Sequence, residues 1–259
     1  MKKLSIVAGV VSLLLFQSAL AFAHPEPYRV AIENEGDFTV KAGVITYQFD
    51  LVDTQNRIVL KDTDLVIDGT KILHLFIYDP ALKEFRHEHP QYMNGKWSVQ
   101  TKLSVNGNYW VWANGKLASD QSEFYGPDRL KIEGGTPENA VPTELGDVRT
   151  GTDGNSRVTL SNTVIQAAQP TMLMVNFVRT DGSQPSITPY LGAMAHVVAV
   201  TSDADSLAHV HPMSAGQNQL MLHTEFKDAG DYRLWMQYMD GGTLRVVPLS
   251  VRVLATQPK

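Results

Sequence analysis

The 259-residue chain contains no cysteine. That absence removes disulfide frameworks, thiolate nucleophiles, cysteine-based zinc and iron–sulfur sites and the cysteine-ligated blue copper centre. A transition metal, if held, must be held by His, Met, Asp or Glu. Charge is sparse too: 19% of residues are charged and the formal net charge is −5, with no basic stretch. Nucleic acid and anionic lipid are disfavoured as partners on electrostatic grounds, whereas cations remain compatible. His-Glu-x-x-His, the Gly-x-Ser-x-Gly elbow and the phosphate loop are all missing. Nor does any segment carry a convincing helical period.

What is present begins with an export signal. Lys2 and Lys3 precede an apolar run from Leu4 to Leu20, and Ala21-Phe22-Ala23 closes it with a small-residue pattern. Residues 1–23 therefore read as a cleavable signal peptide, diluted by Ser5, Ser12, Gln17 and Ser18 relative to a membrane anchor. No later run is long and apolar enough to span a bilayer, so the expectation is a periplasmic or secreted bacterial protein without membrane insertion after cleavage.

The remainder is a tandem repeat. His74 through Pro90 aligns without a gap on His196 through Pro212, at a constant offset of 122. Gly107-Asn-Tyr109-Trp-Val-Trp112 matches Gly230-Asp-Tyr232-Arg-Leu-Trp235 at an offset of 123. Between the copies, 135–154 is rich in Gly, Pro, Thr and acids without apolar periodicity, and reads as a linker. The expected domains are 24–134 and 155–259. Short β-branched segments bounded by turn residues, such as 43–52, 157–160, 172–178 and 244–253, predict strands. Asp228-Ala-Gly230-Asp-Tyr232 resembles the tyrosine corner of immunoglobulin-like domains, and Asn106-Gly107-Asn-Tyr109 repeats it more weakly. The predicted fold is all-β: two immunoglobulin-like or cupredoxin-like β-sandwiches in tandem. Trp97, Trp110, Trp112 and Trp235 are expected in the cores rather than on a carbohydrate platform.

Six of the eight histidines fall into two sets with identical spacing: His74, His87 and His89, and His196, His209 and His211. A spacing of two places His87 and His89 on one face of a strand. A hairpin turning through Asp79 to Glu84 would set His74 opposite His89, where Cβ atoms lie about 4.5–5.5 Å apart. Three neutral imidazoles gathered this way suit Zn²⁺ or copper. A single strand histidine is ordinarily a packing residue. Here, however, most intervening positions have diverged, Glu88 becoming Val210, while all three histidines persist in both copies. Pro90 and Pro212 fit the ends of the hairpin strands.

Further ligands can be named. Met194 and Met213 stand two residues from His196 and His211, and soft sulfur would favour Cu(I). Seven of the nine methionines lie in the second copy, where core packing accounts for most. His223 is a third candidate, with Gln100 as its partner in the first copy. Cleavage after Ala23 would expose His24, whose amino group and imidazole could chelate copper together, an arrangement that resembles the histidine brace of copper-transfer proteins and copper monooxygenases.

The string Tyr190-Leu-Gly-Ala-Met-Ala-His196-Val-Val-Ala-Val, followed by His209-Val-His211-Pro212, resembles a pattern in exported bacterial β-sandwich proteins described as secreted or heavy-metal-associated. The resemblance runs through Tyr232 and, more loosely, over the same stretch of the first copy, where Thr70-Lys-Ile-Leu replaces the residues before His74. It implies periplasmic metal handling, with copper favoured and zinc as the alternative. The expected function is a non-catalytic protein that buffers metal or delivers it to a periplasmic transporter or acceptor. A zinc enzyme using a His₃ site, similar to that of α-type carbonic anhydrases, is the catalytic alternative, and a metal-free adhesion or assembly module is the third.

Overall fold

The computed structural model describes residues 29–33, 39–67, 71–142, 144–203, 206–210, 212–216 and 218–256. The expected leader 1–23, His24, His211 and the side chain of His209 lie outside what is described. Among the described residues the only helix is a single 3₁₀ turn at Asp62–Asp64, and everything else regular is strand. Among the described residues no helix is long and apolar enough to cross a membrane.

The strands form four sheets in two pairs. In the first sandwich, Val30–Glu33, Gly43–Asp53, Lys96–Leu103 and Gln91–Met93 make an outer sheet, with Ile58–Val59 pairing off Gly43–Asp53. Thr39–Lys41, Glu123–Glu133, Gly107–Leu117, Leu73–Tyr78 and Phe85–Glu88 make an inner sheet, with Leu65–Val66 pairing off Gly107–Leu117. The second sandwich repeats this order with an added edge strand, Thr150–Asp153, on its outer sheet. Its outer sheet runs Thr150–Asp153, Ser156–Leu160, Pro170–Arg179, Gln219–Glu225 and Pro212–Gly216. Its inner sheet runs Ile165–Gln166, Thr243–Leu254, Gly230–Asp240, His196–Thr201 and Leu207–Val210. Both copies share a parallel strand pairing, Lys131 with Thr39 and Val253 with Ile165.

Each sandwich closes over its own core by period-two alternation. Tyr47, Phe49, Trp97, Tyr109 and Leu130 fill the first, and Val175, Phe177, Leu222, Met236 and Leu249 fill the second. The tyrosine corners form in both: Tyr232 Oη donates to the Asp228 carbonyl at 2.9 Å and Tyr109 Oη to the Val105 carbonyl at 3.0 Å. Ser156 to Leu160 pairs in register with Val175 to Arg179. The segment read as linker contributes at its end: Thr150–Asp153 pairs with Ser156–Leu160. Gly151 is required there because a Cβ would sit 2.2 Å from the Pro248 carbonyl oxygen.

The strands Leu73–Tyr78 and His196–Thr201 of the inner sheets are buried on both faces. All six residues of Leu73–Tyr78 are buried. Leu73, Leu75 and Ile77 enter the first core, whereas Phe76 and Tyr78 join Phe85, Trp112, Val198, Val200 and Trp235 in a third cluster drawn from both sandwiches. Phe85 stacks on Trp235 with ring centroids 4.5 Å apart, and Trp112 Nε1 donates to Tyr78 Oη at 2.8 Å. Leu145, from the connecting segment, is buried in the same cluster. The tryptophans therefore divide. Trp97 is core, donating to the Leu60 carbonyl, but Trp112 and Trp235 belong to the surface between the sandwiches, and Trp110 lies partly buried beneath Arg129. Alternation sends them to the face opposite Tyr109, Val111, Tyr232 and Leu234, which is why they miss the cores.

Candidate metal centre between the sandwiches

The first histidine set converges. Asp79 forms the hairpin turn by accepting from the amides of Lys83 and Glu84 through Oδ1. The turn fixes a register of Leu75 with Glu88 and Phe76 with His87, which continues to His74 opposite His89. His74, His87 and His89 thus project from the inner sheet on the side away from the first core, toward the second sandwich. Their nearest ring nitrogens all lie within 4.8 Å of one another. Ring centroids are 5.2 Å apart for His74 and His87, 5.0 Å for His74 and His89, and 4.8 Å for His87 and His89.

The second sandwich supplies two further groups. The His196 ring lies with its centroid 5.2 Å from that of His87, and Gln237 Oε1 is 2.8 Å from His87 Nδ1. An amide oxygen only accepts, so His87 Nδ1 carries the proton and Nε2 presents a lone pair. That lone pair meets His74 Nδ1 at 3.0 Å. His196 Nε2 donates to the Tyr190 carbonyl at 2.9 Å, which turns its Nδ1 into the basic nitrogen. His89 Nε2 is buried with no hydrogen-bond partner. A buried, unpartnered imidazole nitrogen costs free energy unless something binds it, and here it belongs to a residue of the histidine cluster.

Electrostatics hold His87 and His89 neutral. Burial, then repulsion from His89, His74 and His196, pushes the His87 pKa far below the usual imidazole value, against a smaller opposing effect of Gln237. His89 is lowered to about 3, chiefly by burial, then by His74, Lys71 and His196. Neutral imidazoles are the metal-binding form. The residues fit a nitrogen-ligated ion: His74 Nδ1 and His87 Nε2 already approach the separation of two ligands on one tetrahedral centre with metal–nitrogen bonds of about 2.0–2.1 Å. His89, with a ligand atom within 4.8 Å of theirs, would be the third donor, and the hydrogen bond of His87 Nδ1 to Gln237 is the outer-shell support such ligands use.

The other candidates go elsewhere. Met194 is partly buried against the second core. Met213 and His223 sit on the outer sheet of the second sandwich, a different sheet from His196. The parity that relates Met213 to the histidine pair does not carry across the change of sheet between Leu207–Val210 and Pro212–Gly216. Gln237 escaped sequence reasoning, although a signal existed. It pairs with His196 across adjacent strands, as Asn114 pairs with His74, and the two amides stand at the repeat offset of 123. Asn114 Oδ1 is likewise buried without a partner.

Comparison with known proteins adds one family likeness. Residues 150–255, the second sandwich, are similar to the family described as Domain of unknown function (DUF8832). No curated protein matches the chain significantly. Among solved structures, an endo-fucoidan hydrolase from glycoside hydrolase family 107 matches 92% of this chain at 9% identity with a TM-score of 0.28. Invasin, a bacterial integrin-binding protein, matches 88% at 14% identity and a TM-score of 0.27. The Escherichia coli adhesin FdeC matches 86% at 16% identity and a TM-score of 0.26. The chain spans 30%, 39% and 63% of those three chains. Scores this low carry nothing about function.

Proposed function

We propose that the protein is an exported metal-binding protein that holds copper, with zinc as the alternative, through His74, His87 and His89 at the junction of its two sandwiches. The observation that carries this reading is the cluster of three imidazoles that each offer a ligand atom within 4.8 Å of the others, with His87 and His89 held neutral by burial and His89 Nε2 buried without a partner. An all-nitrogen site binds Cu²⁺ more tightly than Zn²⁺ on intrinsic grounds, which supports the order of preference. Export follows from the leader pattern at 1–23 and makes a periplasmic carrier or buffer the natural role, with a transporter or acceptor protein as the receiving partner. The enzyme alternative is weaker. A hydrolytic zinc site needs an open fourth position beside a shaped pocket, and the first set instead faces the side chains of His196 and Gln237.

The test is metal content and binding stoichiometry of the purified protein beside a His74→Ala/His87→Ala/His89→Ala variant and a His196→Ala variant. Retention of Cu²⁺ or Zn²⁺ at one equivalent, lost in the triple variant and weakened in the single one, is the expected result. Absence of tight metal in the parent, with both variants stably folded, would make the histidines packing groups of a metal-free assembly module.

A further inference from the structure

The outer sheet of the second sandwich carries a second, chemically different set of donors. Met174 is directly opposite Met221, and Met221 is directly opposite Met213, so three thioethers form a row across three adjacent strands. One step along, Met172 is directly opposite His223. Directly opposed residues project from the same side of a sheet, about 4.5–5.5 Å apart at Cβ, and their diagonal neighbours are about 7–8 Å apart. The intervening positions Leu173, Leu220 and Leu222 point into the core, so all five donors face outward. Met172 and Met213 are 58% and 47% exposed, His223 is exposed, and Met174 and Met221 are half-buried between them.

Core packing cannot account for methionines on a solvent face. The first sandwich provides the control. Its positions of equivalent register are Thr46 opposite Gln100, Gln48 opposite Ser98, and Gln91 opposite Ser98. All five are ordinary solvated polar residues. At the same five places the second copy has four thioethers and one imidazole. Methionine is flexible about three bonds and its sulfur is a soft, weak donor that water solvates poorly. A row of such sulfurs within one another's reach, with an imidazole beside it, selects a soft monovalent cation over Zn²⁺. Met213 and His223 also line an open cleft of about 560 Å³ at the edge of this face, which leaves the donors accessible from solvent.

We propose that Met172, Met174, Met213, Met221 and His223 form a Cu(I) site on the outer face of the second sandwich. It is separate from the histidine cluster between the sandwiches and does not depend on it. The ion would sit over Met221, which has a thioether neighbour on each side, with His223 as the nitrogen donor. This face takes a reduced, soft ion while the nitrogen cluster takes a divalent one.

The experiment uses the full protein with ¹³C-labelled methionine methyl groups, titrated with Ag(I) as a redox-silent stand-in for Cu(I), followed by anaerobic Cu(I) competition against a chromophoric chelator. Expected are methyl shifts for Met172, Met174, Met213 and Met221 with Met93, Met194, Met236 and Met239 unmoved. A Met172→Leu/Met174→Leu/Met213→Leu/Met221→Leu variant should then lose at least about tenfold in Cu(I) affinity. Leucine keeps the volume and apolar character of this surface, so folding is preserved, as circular dichroism would verify. The same methyl shifts in the His74→Ala/His87→Ala/His89→Ala background would show independence from the interior cluster. Unmoved methyl signals, or equal Cu(I) affinity in the leucine variant, would overturn the proposal and leave this face as an apolar contact surface.

Discussion

The two sandwiches repeat each other's sheet order, apart from Ile58–Val59 in the first and Thr150–Asp153 in the second, yet equivalent positions have taken different work. In the first, His74, His87 and His89 converge on one point and leave a buried nitrogen unpartnered. In the second, His196 spends its Nε2 proton on the Tyr190 carbonyl six residues earlier. On the outer faces the difference runs the other way: the first copy shows Thr and Gln to solvent where the second shows methionine. Duplication preserves the scaffold because alternation and core volume constrain it, and leaves outward positions free to diverge. The inner faces are a special case, since packing the copies together converts two surfaces into one shared interior.

The largest test of that shared interior is Trp235→Ala. Trp235 stacks on Phe85 and lies 5.6 Å from Tyr78, both in the other sandwich. Truncating a buried aromatic of this size costs about 3–5 kcal/mol. Chemical denaturation should therefore change from one cooperative transition to two, with the sandwiches unfolding separately. A single transition with unchanged midpoint would show that the copies are held by something other than this cluster.

Metal linkage comes next. Zn²⁺ or Cu²⁺ at about a hundred times its dissociation constant should stabilise the parent by about 2.7 kcal/mol. The same addition should leave the melting temperature of the His74→Ala/His87→Ala/His89→Ala variant unmoved. Gln237→Leu is subtler and tests the contact between copies directly. It removes the acceptor that orients His87 from the opposite sandwich, and loss of such an outer-shell partner lowers metal affinity about 10- to 100-fold. Competition titration checks this. An unchanged affinity would mean that His87 is oriented by its own copy alone.

Much of this was legible in advance, for particular reasons. The two-residue spacing of His87 and His89 determines their common face, and the turn residues Asp79 to Glu84 determine the register that brings in His74. The corners at Tyr109 and Tyr232 formed where their motifs stood. What could not be read was the docking of one copy on the other. Nothing local in His74-Leu-Phe-Ile-Tyr says whether a strand buried on both faces meets another sheet of its own domain or a neighbour's. For that reason Gln237 was missed, and Trp112 and Trp235 were assigned to cores. Met213 and His223 were misdirected for another reason: parity holds within a strand and fails where the chain changes sheets.

Acid should separate the copies without any mutation. The folded pKa values of His87 and His89 lie below the usual imidazole value of about 6.5, so between that value and the folded one the unfolded chain binds more protons than the folded chain. Stability of the metal-free protein is then fully present above pH 6.5 and falls as the pH is lowered toward about 3, where His89 itself titrates. Each such histidine contributes at most about 1.4 kcal/mol per pH unit. Denaturation midpoints measured across this range should decline in the parent and much less in the triple alanine variant. A parallel decline in both would place the acid sensitivity outside the cluster.

The smallest effect separates the two tyrosine corners. Tyr232 Oη donates to the Asp228 carbonyl and is met at 3.3 Å by the Asp228 amide. Tyr109 Oη has the Val105 carbonyl and also the Glu84 carboxylate, which reaches it from the hairpin that positions His87. A neutral hydrogen bond is worth about 1 kcal/mol net and one to a charged group about 1.5–3. Tyr109→Phe should therefore cost more than Tyr232→Phe, and the extra cost should vanish in a Glu84→Gln background if the carboxylate is its source. Equal costs in urea denaturation would mean that the corners are interchangeable, and that the hairpin bearing His87 and His89 draws no support from the first one.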